Sequence, residues 1–381
     1  MKRVLISGAS IAGPALAYWL NRYGFKVTVV EKADAVRPGG REVDFKGPIH
    51  LSVLERMGIL EAVRRAQVPS EDGVLVNADG RAIARFPGRF AGGEINVPRG
   101  DLANILYELT ANRCEYLFDD TITSIDQNEH GVDVSFHRAA PRRFDLVIGA
   151  DGIHSNVRRL AFGPEQAFVK HLGYHYALAD LGIGQEHEAY NEPGRALVLG
   201  GGAPALFVFA SAPFEGGHDD VEAQKRFLTD AYRGGRWRIP EVVAKLPDAK
   251  DFYMDSISRV SMDRYAKGRV VLVGDAAYGN TLGGFGTGLA LVAAYVLAGE
   301  LHRASGANGA ALALTRYEAI YRRYSAVSQQ INAGHIMAPA TYWGLRIRNL
   351  LFSAMARFEP IIKLVERPAS NLKLEDYSQA A

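Results

Sequence analysis

The residues whose types and spacing could do chemistry fall in two glycine-rich turns. In the first, Gly8-Ala9-Ser10-Ile11-Ala12-Gly13 follows the apolar run Val4-Leu5-Ile6. Small residues at positions 8, 10 and 13 leave room for a diphosphate to meet backbone N–H groups and the positive end of a helix. Glu31 closes a second apolar run, Val27 to Val30, where a carboxylate accepts hydrogen bonds from an adenosine ribose. Ser10 takes the place of the second glycine of G-x-G-x-x-G; it crowds a pyrophosphate slightly and offers a hydroxyl hydrogen bond in return. In the second turn, Gly274-Asp275-Ala276-Ala277 ends a strand, and Gly283-Gly284-Phe285-Gly286-Thr287-Gly288 feeds a helix from Leu289 to His302. The physics repeats: a carboxylate for ribose or ribitol hydroxyls, and N–H groups at a helix start facing a phosphate or an electron-rich ring edge.

Turns of this kind must be held by strand–turn–helix units. Pro14 to Tyr23 reads as the first helix, and His50 to Ala66 as one amphipathic helix with Leu51, Leu54, Met57 and Leu60 on a single stripe. Asp79-Gly80, between Val74–Val76 and Ala82–Phe86, predicts a hairpin. Arg99-Gly100-Asp101-Leu102 opens a helix to about Asn112, with Asp101 as cap or first-turn acid. Thr121 to Ile125 and Val132 to Phe136 form a further hairpin. The continuous run Phe144 to Ala150 predicts a buried strand that delivers Asp151-Gly152 to its carboxyl end, where open α/β sheets place their ligands. Ser155 to Phe162 is a short basic helix. Alternating segments then follow at Tyr174–Ala179, Ala196–Leu199, Leu206–Ala210 and Phe252–Ser261, with helices at Val221–Tyr232 and Glu241–Leu246. Helices at Thr315–Asn332 and Tyr342–Leu364 end the chain.

These patterns predict an α/β protein: a Rossmann-like nucleotide-binding domain, an inserted mixed β-sheet domain for the substrate, and a long C-terminal helix. Composition shifts near 172 and 262 mark a second domain inserted into the first; with the β-rich hairpin region joined to it, residues 73–94 and 172–261 are expected to form the second domain and residues 1–72, 95–171 and 262–332 the first. Residues 333–381 make a bridging helix and tail.

The chain has 381 residues, 48% hydrophobic and 23% charged, enough for more than one core. Its 44 basic and 42 acidic residues give +2, with no basic block suited to nucleic acid. Cys114 is the only cysteine, which removes disulfides and thiolate metal clusters from consideration and fits a reducing, cytoplasmic setting. No metal site is expected. The apolar N-terminus is too short for a signal peptide. The uncharged stretch Ala276 to Gly299 has the length to span a bilayer, but its glycines make the first half a loop and leave a buried helix instead.

Gly8-x-Ser10-x-x-Gly13, Glu31, Arg99-Gly100-Asp101-Leu102, Gly149-Ala150-Asp151-Gly152 and Gly274-Asp275-Ala276-Ala277 together resemble the single-component, class A FAD-dependent monooxygenases. Arg37 to Asp44, Trp237 and Asp251-Phe252-Tyr253 are most similar to the branch containing the tetracycline-inactivating enzymes. The resemblance implies FAD held by Gly8, Ser10, Ile11, Ala12, Gly13, Glu31, Lys32, Arg41, Asp44, Arg99, Asp151, Asp275, Gly286, Thr287, Gly288 and Leu289, with Arg37 on NADPH. It implies NADPH or NADH as electron donor and O2 as co-substrate. The implied reaction is hydroxylation of, or oxygen insertion into, an aromatic or polyketide-like small molecule through a C4a-hydroperoxyflavin, with antibiotics among eligible substrates. No catalytic side chain is assigned, because the cofactor carries the chemistry. Departures from the family pattern are Tyr278 after Gly-Asp-Ala-Ala, a loop one residue shorter, and Phe285 and Gly288 in the second turn.

The substrate is expected between the flavin and the inserted sheet, near Phe207, Phe209, Tyr174, His175, Met254 and Phe285. Two further readings stay open. One is a flavoprotein that sequesters a ligand without turnover. The other is a flavin-dependent halogenase, prompted by Gly234-Gly235-Arg236-Trp237-Arg238-Ile239-Pro240. The protein is expected to act as a monomer or homodimer, away from membranes.

Overall fold

The computed structural model describes residues 2–70, 72–86, 88, 93–183, 187–200, 203–217, 219–304, 309–326, 328–357 and 374–377. Short apolar runs separated by helices can pair side by side only as a parallel sheet with crossovers. Accordingly, Leu146–Gly149, Arg3–Ser7, Lys26–Val30 and Glu115–Leu117 run parallel in that order. Val270–Leu272 joins beyond Leu146–Gly149, and Ala266–Lys267 completes the six-stranded sheet antiparallel at its edge. Val4, Leu5, Ile6, Val147, Ile148 and Val271 are wholly buried. They share one core with the helices Ala12–Arg22 and Gly286–Arg303 and with Val132 and Val134 of a three-stranded antiparallel sheet.

A second sheet of seven strands holds, in order, Phe252–Val260, Val169–Ala179, Ala205–Ala210, Arg195–Leu199, Glu188–Glu192, Gly73–Val76 and Ala82–Phe86. It is mixed, because Glu188–Glu192 pairs parallel with Gly73–Val76 while its other pairings are antiparallel. One face packs on the helices Val221–Tyr232 and Ile239–Ala244 through Phe207, Phe209, Leu228, Tyr232 and Val242. The opposite face carries Tyr174, Leu206, Val208 and Ile257, closed in part by Ala338. Phe252–Val260 runs back to the first lobe, where the Val260 N–H donates to the Gly279 carbonyl at 2.7 Å. The helix Tyr342–Arg357 is fastened to this sheet by Arg348, which donates to Asn191 Oδ1 at 2.9 Å and to the Met337 carbonyl at 3.0 Å. Its expected extension to Leu364 lies outside the described residues. No described helix is long and apolar enough to cross a membrane.

Local chemistry changes some expected boundaries. His50 to Ala66 is not one helix but two, Gly47–Arg56 and Leu60–Arg65, because Gly58 takes a φ of 74° and ends the first. The run Phe144 to Ala150 divides at Asp145: Arg142–Phe144 pairs with Gly131–Phe136, and only Leu146–Gly149 joins the parallel sheet. The helix expected from Leu289 begins at Gly286, so the last glycines of the turn are its first residues.

Candidate active site

The first glycine turn is set by backbone contacts that no side chain would permit. Gly8 has a φ of 107°, and a β-carbon there would stand 2.4 Å from the Ala150 carbonyl oxygen. At Gly13 a β-carbon would stand 1.9 Å from the Gly8 carbonyl oxygen. These glycines let the strand Arg3–Ser7 turn directly into the helix Ala12–Arg22 beside the strand end at Ala150. That helix has no side-chain cap and no acid in its first turn, so its leading N–H groups remain for an anion. Glu31 braces the turn: one carboxylate oxygen accepts the Ala9 N–H at 2.7 Å and the other the Ala33 N–H at 2.9 Å. A carboxylate has about four acceptor positions, so capacity remains for a ribose.

Arg99, at the start of the helix Arg99–Glu108, donates from Nη2 to Ser10 Oγ at 3.0 Å. The sequence departure at Ser10 thus has a partner. Asp275 faces open space at the floor of the same cleft. Enough protein surrounds it that burial raises its carboxyl above the usual range, an effect the Arg99 charge opposes. Its side chain makes no hydrogen bond to the described residues. A β-carbon at Gly286 would lie 3.9 Å from Asp275 Oδ1, which places the start of Gly286–Arg303 beside that carboxylate. The chain reaches this start through left-handed backbone at Leu282, Gly284 and Phe285. Gly286 is exposed and Thr287 half-buried. Gly288 presses on His50, where a β-carbon would meet the ring at 2.2 Å. Leu289 is buried and its carbonyl accepts the Tyr321 hydroxyl. Burial lowers the His50 pKa to about 4, and its Nδ1 accepts the Lys46 N–H at 3.1 Å, so the ring is neutral.

Other expected positions divide. Arg41 donates to the Pro204 carbonyl at 3.1 Å, linking the loop before Glu42–Phe45 to the seven-stranded sheet. Asp44 pairs with Lys46 at 2.7 Å, and Lys46 Nζ lies 5.2 Å from the centre of the Phe285 ring, which is buried beneath it. Lys32 and Arg37 are exposed. Asp151 differs from expectation. Its oxygens accept Ser155 Oγ at 2.5 Å, the Val157 N–H at 3.0 Å and Ser7 Oγ at 3.2 Å, so it shapes the strand end instead of offering a free carboxylate.

The substrate-facing residues need the larger correction. Phe207, Phe209 and Met254 lie in the cluster under the helices, and His175 stacks on Phe209 with ring centres 5.8 Å apart. All four point away from the cleft, because strand residues alternate faces. Tyr174 is on the cleft side but covered, since Gly334 leaves only enough room for its ring. Further along the Tyr174 face stand Tyr176, the exposed Tyr253 and the buried Asp255. Tyr253 is 44% exposed and donates to Asp255 Oδ2 at 3.0 Å. Behind them, His154 Nε2 meets Asp255 at 3.0 Å and its Nδ1 meets Glu165 at 3.0 Å. Those two hydrogen bonds, Asp255 before Glu165, raise the His154 pKa to about 10 against the opposing effect of burial. Burial works to raise the Asp255 pKa, but His154 outweighs it and the carboxyl stays below its usual range. Burial raises both Tyr176 and Tyr253, and the Arg99 charge partly opposes this in each. The segment Gly234 to Pro240 is a turn leading into Ile239–Ala244 on the helix-covered side, where Trp237 packs with Tyr190.

With this geometry in place, comparison with known proteins is decisive about the family. Residues 1–171 match the FAD binding domain family. A flavin-dependent monooxygenase of Legionella longbeachae is 35% identical over 342 residues, covering 86% of this chain and 87% of that protein. An uncharacterized protein of Mycobacterium tuberculosis is 43% identical over 321 residues, covering 80% of this chain and 86% of that one. The crystal structure of the tetracycline destructase Tet(55) shares the fold with a TM-score of 0.83 at 31% identity, covering 99% of each chain. The chain belongs to the flavin-dependent monooxygenases and is an FAD-binding oxidoreductase acting on a small molecule with O2. The cleft fits that cofactor: the uncapped helix start, the Ser10–Arg99 pair, the Asp275 carboxylate and the second helix start line one groove.

Proposed function

We propose that this enzyme uses NAD(P)H and O2 to hydroxylate, or insert oxygen into, an aromatic or polyketide-like small molecule of the size of a tetracycline. The full-length likeness to a tetracycline destructase supports the substrate class. The observation that carries the reading is the gathering of two helix starts and a carboxylate: Gly274 lies against Ala12 at the uncapped first helix, Gly286 lies beside Asp275, and Arg99 holds Ser10. The balanced reaction takes substrate–H, O2, NAD(P)H and a proton to substrate–OH, water and NAD(P)+. Bound FAD supplies the electron transfer and oxygen activation.

The chain's own groups then bind, orient and exclude water. Gly8, Ile11, Ala12, Gly13 and the helix start receive the pyrophosphate, with Ser10 and Arg99 donating to it. Glu31 takes the ribose with Lys32 beside the adenine, and Asp275 takes ribityl hydroxyls. The N–H groups of Gly286 to Leu289 favour negative charge on the ring edge they face. Arg41 and Asp44 with Lys46 hold the loop that borders the ring, and Arg37 meets the nicotinamide donor. Tyr176 and Tyr253 orient the substrate, and Asp255 and His154 orient Tyr253.

The visible spectrum of the purified protein, before and after anaerobic NADPH, tests this. Bleaching of a flavin spectrum, alone or once a polycyclic phenol is added, is the expected result. A bound flavin that NADPH and NADH never reduce under either condition would replace turnover with sequestration.

A further inference from the structure

Two residues of the helix Gly286–Arg303 make no sense within the helix itself. Gly299 weakens a helix interior, and Glu300 buries a carboxylate in an otherwise apolar segment. Both are explained by Tyr377, near the end of the chain. A β-carbon at Gly299 would stand 2.3 Å from the Tyr377 ring, so the glycine is the slot in which that ring lies. The Tyr377 hydroxyl donates to Glu300 Oε1 at 2.8 Å, while Arg316 stands 4.0 Å from the second oxygen.

The backbone and charges of the tail are matched as well. Tyr295 Oη donates to the Glu375 carbonyl at 2.8 Å and accepts the Tyr377 N–H at 3.3 Å. Arg303 pairs with the Glu375 carboxylate, donates to the Asp376 carbonyl at 2.9 Å, and lies 4.2 Å over the Tyr377 ring. Arg56 reaches the Glu375 carbonyl at 3.3 Å and the Asp376 carboxylate at 3.8 Å. An aromatic slot with a buried acceptor, flanked by two arginines, is a built receptor for an acidic, tyrosine-bearing peptide.

We propose that the helix Gly286–Arg303 is a docking site for the chain's own tail, Leu374–Tyr377, and that docking fixes the helix starts that face FAD. Tyr295 is the junction. It meets Trp19 of Ala12–Arg22 at 4.9 Å between ring centres, Tyr377 at 5.2 Å, and Arg56 of Gly47–Arg56. Over 18 residues a helix spans about 27 Å as a stiff rod, so a clamp at its C-terminal end constrains its N-terminal end. The tail therefore grips Gly286–Arg303 and Gly47–Arg56 directly and reaches Ala12–Arg22 through the Tyr295–Trp19 contact.

The test compares the holoenzyme with a variant lacking residues 374–381 and with Tyr377→Phe, measuring FAD release by flavin fluorescence and amide exchange over residues 295–303. Removal of the tail is expected to speed FAD release at least about fivefold and to raise exchange in that segment. Tyr377→Phe, which strands Glu300, should fall between the truncation and the parent. Exchange in Arg3–Ser7 and Leu146–Gly149 should stay unchanged in both, showing that the fold is intact. FAD release within twofold of the parent in both variants would overturn the proposal. Should the truncated chain fail to fold, Tyr377→Phe alone decides, and parent-like release and exchange in it overturn the proposal.

Discussion

On the seven-stranded sheet, Phe207 and Phe209 face the helices Val221–Tyr232 and Ile239–Ala244, while neighbouring strands turn Tyr176 and Tyr253 toward the cleft. Both faces are rich in rings, and ring content does not separate core from site. The difference lies in what stands beside the rings. The covered face offers aliphatic groups, backbone carbonyls for the Tyr232 hydroxyl and, beside Tyr190, a Glu192 carboxylate taken up by that tyrosine and by Arg195. The open face offers Asp255, with its own histidine behind it. Asp255 is itself buried and held by His154 and the Ser256 N–H, so it serves that face by fixing the Tyr253 hydroxyl.

The largest effect expected from this contrast is in stability. Phe207→Ala removes a wholly buried ring and should cost about 3–5 kcal/mol, read as a lower melting temperature, while the folded fraction keeps its flavin spectrum. A selective change in substrate KM with unchanged melting would reverse the assignment of the two faces. Next, Arg99→Ala removes a charged donor from the cleft and should weaken FAD binding by roughly 1.5–3 kcal/mol, tenfold or more, in a fluorescence titration. Phe209→Leu serves as the control that leaves FAD affinity alone.

Tyr253→Phe should be mild for folding, within about 1 kcal/mol, because the ring is half-exposed and only one hydrogen bond is lost. Its signature is functional: a higher substrate KM, or more peroxide released per NADPH consumed, at unaltered FAD affinity. Equal kinetics in both proteins would remove Tyr253 from the substrate wall.

The smallest effect is a pH dependence. The folded His154 pKa of about 10 exceeds the ordinary 6.5, so the folded state holds this proton more tightly. The resulting stabilisation is complete below pH 6.5 and is lost as pH rises toward 10. The melting difference between the parent and His154→Asn should therefore shrink steadily from pH 6 to pH 10. A constant difference would mean that His154 acts by packing alone.

The sequence showed the cofactor side of this molecule more plainly than the substrate side. Gly8 and Gly274 take positive φ at their turns and Gly13 abuts the Gly8 carbonyl five positions back, so local spacing reveals them even though Gly8 also meets the distant Ala150. The pairing of Asp255 with His154 spans 101 positions, and neither residue sits in a pattern that announces the other. Alternation marks Tyr174–Ala179 and Leu206–Ala210 as strands but cannot say which face of each the helices cover, so Phe207 and Tyr174, expected together at the substrate, lie on opposite faces. Strand Glu188–Glu192 was hidden for a related reason. Its buried Glu192 is balanced by Arg195 at 2.8 Å and Arg236 at 3.8 Å, and a charge on an inward position disguises a strand. Gly58 was visible as a helix end, yet the apolar stripe through Leu60 masked it.

Cys114 sits in the first core, 8% exposed, with its pKa raised to about 11 by burial and its thiol directed at the Ala17 carbonyl. As the sole sulfhydryl of the chain, it is both protonated and shielded at neutral pH. The native protein should therefore react only slowly with maleimides and other thiol labels, without any cysteine having to be removed. A single cysteine introduced at an exposed position away from the cofactor, such as Tyr342 or Trp343, would carry a dye or spin probe alone, making this chain ready for distance measurements in solution.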